Sequence, residues 1–365
     1  MKITGSRVGS IHRLALAFLA LLIHAAVGCS SNANSTFNNA AISKALWVAN
    51  GTNVVEFVPS QFSLTASAVA PHLINNSGSF GAPQGVVFDS GGNLWVIDGG
   101  TVAKGGTIAP ALYQFTAAQL SALGTNNSPI PNIVINSPSF MFPQQAVFDT
   151  SGSLWVSDSV ANEVFEFTAA QLTASNSNAA ANICISAGFM GALGITFDSS
   201  GDLWVANNAS TCIYEFLAGN LPMSSGTYTL TPDVMLSDDG NGSIQAPWAL
   251  AFDNGGSLWS SNASSPNTVV EFPISVLGTS GSPVPVVSLY PTVDGGNTTL
   301  NSPNGIAFDN LGDLTVVNSM TPFGAALFTQ SQLVNGGAPK PAVFLVGSTT
   351  TLNAPAGSTF GPIVD

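Results

Sequence analysis

The sequence predicts an all-β protein, a six-bladed β-propeller of four-stranded antiparallel blades, closed by pairing the C-terminal strand with the N-terminal blade. Three observations predict it. A Phe-Asp-x-x-Gly…Leu-Trp-Val unit recurs, and Asp89, Asp149, Asp198, Asp253 and Asp309 follow one another at 60, 49, 55 and 56 residues, a period typical of solenoids and propellers. Only 7% of the 365 residues are charged while 45% are hydrophobic. Beyond the N-terminus these hydrophobics form no long apolar run, and the Gly, Asn, Ser and Thr between them favour short strands and tight turns. The two ends of the chain also supply complementary parts of one repeat.

Residues 1–28 read as an export signal. Lys2, Arg7 and Arg13 precede an apolar stretch, Leu14 to Gly28, too short for a comfortable membrane span. Small residues then run directly into Cys29. This resembles a bacterial lipoprotein signal, whose cleavage leaves the cysteine as a lipid-bearing N-terminus, although Ala26 stands where that pattern prefers Leu. The alternative is an ordinary secretory signal in which Cys29 is incidental. Ser30 and Ser31 carry no acidic retention signal, so the resemblance implies an outer-membrane lipoprotein facing the periplasm or cell surface, or a secreted protein if no lipid is added. Residues 29–44 are a polar tether, and the propeller occupies residues 45–365.

Each repeat divides into four strands. The first ends at Phe-Asp. A turn follows in which Asp bonds the turn amides and Gly, three residues on, takes a left-handed conformation. The second strand is "LWVSD" and its relatives, and the third is "VFEF", "IYEF" or "VVEF". A connector, "TAAQL" twice and "TQSQL" once, is predicted to form a helical turn with Thr as its N-cap. The fourth strand is short, as in "NIVI" or "NICI". Five complete repeats lie between "ALWVANGTNVVEF", which lacks a first strand, and "NAPAGSTFGPIVD", which resembles one. Pairing the two makes the sixth blade and removes the open sheet edges.

From about residue 45 to the end, this Pro-x-Gly…Phe-Asp-x-x-Gly…Leu-Trp-Val…Asp/Asn pattern resembles the NHL-repeat family of β-propellers. The chain departs from that family in lacking the usual third-strand Arg or Lys and in carrying the longer connectors. Related propeller enzymes set a test. Streptogramin-inactivating lyases depend on a histidine general base near a metal. His72, the one histidine outside the signal, falls in a fourth, outer strand far from any channel mouth. Gluconolactonase-type enzymes need a Glu, Asn and Asp set around a central metal. Asp98 and Asp158 are on offer, but no first strand carries a Glu.

The repeated residues read mostly as architecture. Trp47, Trp95, Trp155, Trp204 and Trp259 share one position, occupied by Thr315 in the fifth repeat, and are expected to fill the wedge between blades. Asn50, Asp98, Asp158, Asn207, Asn262 and Asn318 close the second strand and are expected to cap turns. Function is sought where the repeats differ. The residue after the leading Pro should face the channel mouth, which gives Gln84, Gln144, Trp248 and Asn304 as candidate ligand-binding residues, with Asp98 and Asp158 nearby. That rim is uncharged and able to stack and hydrogen-bond, which suits a sugar or peptide better than a phosphate. No cofactor is expected, but Asp238, Asp239 and Asp294 in two long loops leave Ca²⁺ open without completing a ligand set. Cys184 and Cys212 form either a disulfide between adjacent blades or two buried thiols.

Without its signal the chain has three lysines against 19 carboxylates, which excludes nucleic acid and anionic lipid as partners. The expected function is a monomeric binding or interaction scaffold for a protein, peptide or carbohydrate at the cell envelope, touching the membrane only through its lipid. A metal-dependent lyase or lactonase using the channel mouth is the alternative, and a purely structural envelope protein a further one. Enzyme activity is left open, with the non-enzymatic reading preferred.

Overall fold

A computed structural model describes residues 44–63, 72–75, 80–103, 106–124, 128–346 and 350–361. The signal, Cys29 and nearly all of the tether lie outside the described residues. Six four-stranded antiparallel sheets are arranged as the blades of a propeller. Blade 1 runs outward from the axis through Pro83–Phe88, Leu94–Asp98, Ala111–Phe115 and Ile133–Ile135. Blade 2 runs through Pro143–Phe148, Leu154–Asp158, Glu163–Phe167 and Ile183–Ser186. Blade 3 is built from Ala192–Phe197, Leu203–Asn207, Cys212–Phe216 and Val234–Ser237. Blades 4 and 5 begin at Pro247–Phe252 and Pro303–Phe308.

Blade 6 is shared by the two ends of the chain. Its inner strand, Pro355–Gly361, pairs antiparallel with Ala45–Asn50, placing Leu46 opposite Phe360 and Trp47 opposite Thr359. Asn53–Phe57 and His72–Ile74 complete it. The expected closure by strand exchange is therefore the observed one, and His72 lies on the outermost strand, where its Nδ1 meets Glu56 Oε2 at 2.5 Å.

The repeated residues form the joints. Each of the five tryptophans packs edge-on against the terminal Phe of the next blade's inner strand, with centroids 5.7–6.2 Å apart and ring planes 67–84° from parallel. In four blades the indole N–H also donates to the Asp of its own Phe-Asp turn, at 2.9–3.3 Å. The other oxygen of that Asp accepts amides two and four residues on, for example Ser151 and Ser153 from Asp149. Gly152, in the same turn, has φ +82°, a value that disfavours any side chain. Blade 5 has Thr315 in place of the tryptophan, and the next inner strand's Phe360 instead meets Phe62 at 6.5 Å.

The long connectors have a structural role that the repeat pattern did not reveal. The connectors of blades 1 and 5 open with a turn capped by Thr116 or Thr329, and those of blades 2 to 5 return along the outer edge of the preceding blade. Gly226–Thr229, from the blade 3 connector, adds a parallel fifth strand to blade 2 beside Ile183–Ser186. Single parallel bridges join Asn176 to Ile135, Gly281 to Leu236 and Gly337 to Leu289. An outer strand exposes unpaired backbone groups, and the neighbouring connector covers them.

Candidate functional site

The six inner strands surround the axis and touch one another near the mouth face, where they begin. A Cβ added to Gly85 would lie 2.6 Å from the Gln144 carbonyl, one on Gly194 would lie 2.5 Å from that of Trp248, and one on Gly357 would lie 2.6 Å from that of Gln84. Glycine is what lets successive blades approach this closely. Gln145 then reaches across the axis from blade 2, its Nε2 standing 3.5 Å from the Asn304 carbonyl of blade 5. Beyond this crossing lies a cavity of about 370 Å³, lined by the inner strands and by Lys44. Lys44 is the one ionisable group among its described lining residues.

The predicted rim residues are gathered at the mouth end, each at or beside a break in strand register. Between Pro83 and Gly85, and between Pro143 and Ala146, the pairing shifts, and this bulge turns the residue after the Pro. Gln84 and Trp248 are half-buried, whereas Gln144 and Asn304 are each only 5% exposed. Their polar ends bond within their own blades. Gln144 Nε2 donates to Ser159 Oγ at 2.9 Å, Gln84 Nε2 donates to the Ala82 carbonyl at 3.2 Å, and Asn304 Oδ1 accepts from Ser302 Oγ at 3.2 Å.

Asp98 and Asp158 lie just behind this rim, fully buried. Asp98 accepts the N–H groups of Gly81, Ala82 and Gly100. Asp158 accepts those of Met141, Phe142, Val160 and Ala161. Burial raises the Asp98 carboxyl above its ordinary range, against the lowering effect of its three amides. The same position caps the mouth loops in the other four blades through Asn207, Asn262, Asn318 and Asn50. These groups therefore hold the loops that form the face.

The loops also present residues that the repeat comparison overlooked. The residue two before the inner strand's first position donates its N–H to the capping Asp or Asn, so its side chain stands outside the bulge. In blades 2 and 3 this residue is Met141 and Met190, 59% and 57% exposed. Val160 is also exposed, at 52%. Its loop abuts that of Met190, because Asn162 Oδ1 accepts the Gly191 N–H at 2.7 Å. Three apolar side chains thus share one sector of the mouth face. The only sequence signal was position, with Met141 and Met190 two before the leading Pro or Ala and Val160 two after Asp158.

On the opposite face, Asp198, Asp202 and Glu215 converge in blade 3, with one carboxylate oxygen of each within 4.8 Å of the others. Burial, together with Asp202, Asp198 and Asp233, pushes the Glu215 carboxyl up to about 7. Asp238 and Asp239 hold their own loop, accepting amides of Gly240, Asn241, Ser243 and Ile244. Asp294 pairs with Lys340 at 3.5 Å. Cys184 and Cys212 are free thiols, both half-buried. Burial raises the Cys184 thiol above its usual range.

No protein-family model and no curated protein matches the sequence. Solved structures do resemble the fold. A chain of a nidogen–laminin complex is 13% identical, covers 87% of this chain and 98% of its own, and has a TM-score of 0.58. A protein of unknown function from Bacteroides caccae is 10% identical over 87% of this chain and 99% of its own, with a TM-score of 0.52. A streptogramin B lyase is 15% identical over 70% and 68%, with a TM-score of 0.44. At these identities the likeness to the first two, with TM-scores above 0.5, establishes the fold and nothing finer.

Proposed function

We propose that the chain is an exported, lipid-anchored propeller of the NHL-repeat type that docks a protein or peptide partner at the cell envelope through its mouth face. The observation that carries this reading is the sector formed by Met141, Val160 and Met190. These large apolar side chains stand more than half exposed in a chain of net charge −13, on loops fixed by buried caps. Methionine suits such a surface because its flexible, polarizable side chain fills irregular contacts, and exposed apolar patches on rigid frames mark interaction sites. Gln84 and Trp248, half-buried toward the axis of the same face, add a hydrogen-bonding and a stacking group, while Gln144 and Asn304 support the rim from within their blades. Asp98 and Asp158 act through the loops they cap.

Photo-crosslinking tests the docking reading. Benzoylphenylalanine placed at 141 or 190 should give a shared adduct in the native cell envelope, while the same group at Met223, fully exposed on the opposite face, should not. Equal yield at 223, or no adduct at 141 and 190, would overturn the reading. For the anchor, Cys29→Ser should release the chain from the membrane fraction and abolish incorporation of labelled fatty acid. Retention with unchanged labelling would rule out lipid on Cys29.

A further inference from the structure

Comparison of the six blades at one level isolates blade 3. At this level each blade brings together the Phe-Asp turn residue, the residue four after it, the third-strand residue paired with the tryptophan position, and the residue just before the fourth strand. In blade 1 these are Asp89, Asn93, Gln114 and Asn132, and amide donors neutralise every acceptor. Asn93 Nδ2 bonds both oxygens of Asp89 at 3.1 and 2.9 Å, and Asn132 Nδ2 donates to Gln114 Oε1 at 2.7 Å. In blade 2, Asn182 Nδ2 donates to Glu166 Oε2 at 2.7 Å. In blade 4 the Glu271 carboxylate has a hydrogen bond from Ser257.

In blade 3 the two amide-donor positions hold acids, Asp202 and Asp233, beside the acceptors Asp198 and Glu215. Glu215 lies opposite Trp204 in the ladder and is 5% exposed, and its Oε2 is buried without a hydrogen-bond partner. The Asp233 side chain has no N–H to give that oxygen and instead accepts from Leu217 N and Asn220 Nδ2. Asp202 Oδ1 accepts the Ala218 N–H, and Asp198 accepts its own turn amides and the Trp204 indole. Neither described lysine serves the cluster, since Lys44 lines the central cavity and Lys340 pairs with Asp294. A buried, unpaired carboxylate among like charges is costly unless a proton or a metal cation joins it.

We propose that Asp198, Asp202 and Glu215 bind one Ca²⁺ at the base of blade 3. Hard cations take carboxylate oxygens, and Ca–O distances of about 2.3–2.6 Å allow ligand oxygens up to roughly 4.6–5.2 Å apart. The observed limit of 4.8 Å fits that range, whereas the shorter Mg–O distance of about 2.0–2.1 Å would require the three groups to close further. Asp198 and Asp202 are partly exposed, which leaves an approach for the ion and room for water ligands. This site is separate from the mouth face, so either proposal stands if the other fails.

The test uses the full-length protein stripped with EGTA. CaCl₂ at saturating concentration should raise Tm by about 3–6 °C, and calorimetric titration should give one ion per chain. Tb³⁺, excited through tryptophan, should luminesce and be displaced by Ca²⁺. Asp202→Asn and Glu215→Gln should each abolish the Ca²⁺-dependent Tm rise and the displaceable luminescence, while Asp239→Asn in the mouth-face loop leaves both unchanged. Circular dichroism of the metal-free variants establishes that they are folded. The proposal is overturned if Ca²⁺ leaves the wild-type Tm unmoved. It is equally overturned if the rise persists in both folded variants.

Discussion

Thr315 stands where four other blades place a tryptophan whose indole bonds the turn aspartate, and in its blade that aspartate, Asp309, keeps a buried Oδ2 without a partner. Burial raises the Asp309 carboxyl above its ordinary value, and Asp313 beside it is raised by burial and by Asp309. A carboxyl raised in the folded state favours folding below its unfolded pKa, and that contribution is lost as pH rises through the folded value. Asp309→Asn should therefore stabilise the protein at pH 7 by about 1 kcal/mol, with the gain shrinking toward zero near pH 3. Urea unfolding at the two pH values measures this. Loss of stability at pH 7 would refute it.

The same exchange should reverse sign in blade 2. Asp149 Oδ2 accepts the Trp155 indole N–H at 2.9 Å. Asn in its place either turns an N–H toward that donor or withdraws its acceptor from the turn amides. Asp149→Asn should cost about 1–2 kcal/mol, and Trp155→Ala about 3–5 kcal/mol, because it also empties the wedge against Phe197. Denaturant midpoints of the two variants decide the order.

Ring closure makes the C-terminal strand indispensable. Pro355–Gly361 forms the inner strand of blade 6 and also packs beside the inner strands of blades 5 and 1. Truncation after Asn353 leaves both neighbours with open faces and exposes the edge of Ala45–Asn50. The cooperative thermal transition should be lost or displaced by well over 10 °C in calorimetry. A truncated protein with the wild-type Tm would mean that the ring is stable without closure.

The fold was legible because its joints are made by residues that recur. A Phe-Asp, a Gly at φ near +80° and a Trp that reaches the next blade's Phe must recur wherever blades meet, so they leave a period in the sequence. The connectors were not legible in this way. Contacts such as Asn176 with Ile135 join backbone to backbone between different repeats, and backbone pairing imposes no residue type. Their lengths differ, and only the capped first turn was foreseen. The mouth was read in outline. The bulge after the Pro rotates Gln144 inward, and exposure passes to Met141, two positions before that Pro. The blade 3 acids were visible as letters, but their significance depends on Asn132 and Asn182 serving as donors at equivalent places.

The connector latch gives a local prediction. Thr227 pairs with Cys184 in the parallel strand that covers blade 2, and just past that strand the Leu230 N–H donates to the Ser186 carbonyl at 2.8 Å, a bond that proline at 230 would remove. Leu230→Pro should cost about 1–3 kcal/mol, while the amides of Ile183–Ser186 lose hydrogen-exchange protection. Cys184, half-buried beneath this strand, should react faster with a thiol reagent, and Cys212 should not change. Equal acceleration at both cysteines would point to global loosening instead.

Asp158 separates support from contact at the mouth. Its carboxylate holds the N–H groups of Met141 and Phe142 on one loop and of Val160 and Ala161 on another, so it fixes two of the three exposed apolar residues without itself reaching the surface. Asp158→Ala strands those amides and should cost about 2–4 kcal/mol. Asp158→Asn retains one acceptor oxygen, the group that Asn207 uses toward Met190 in blade 3, and should cost about half as much. Partner crosslinking from position 190 should survive Asp158→Asn in full, whereas crosslinking from position 141 should fall with Asp158→Ala, as its loop loosens. If both variants abolished crosslinking at 190 while remaining folded, Asp158 would be touching the partner, and the mouth face would have to be redrawn around its carboxylate.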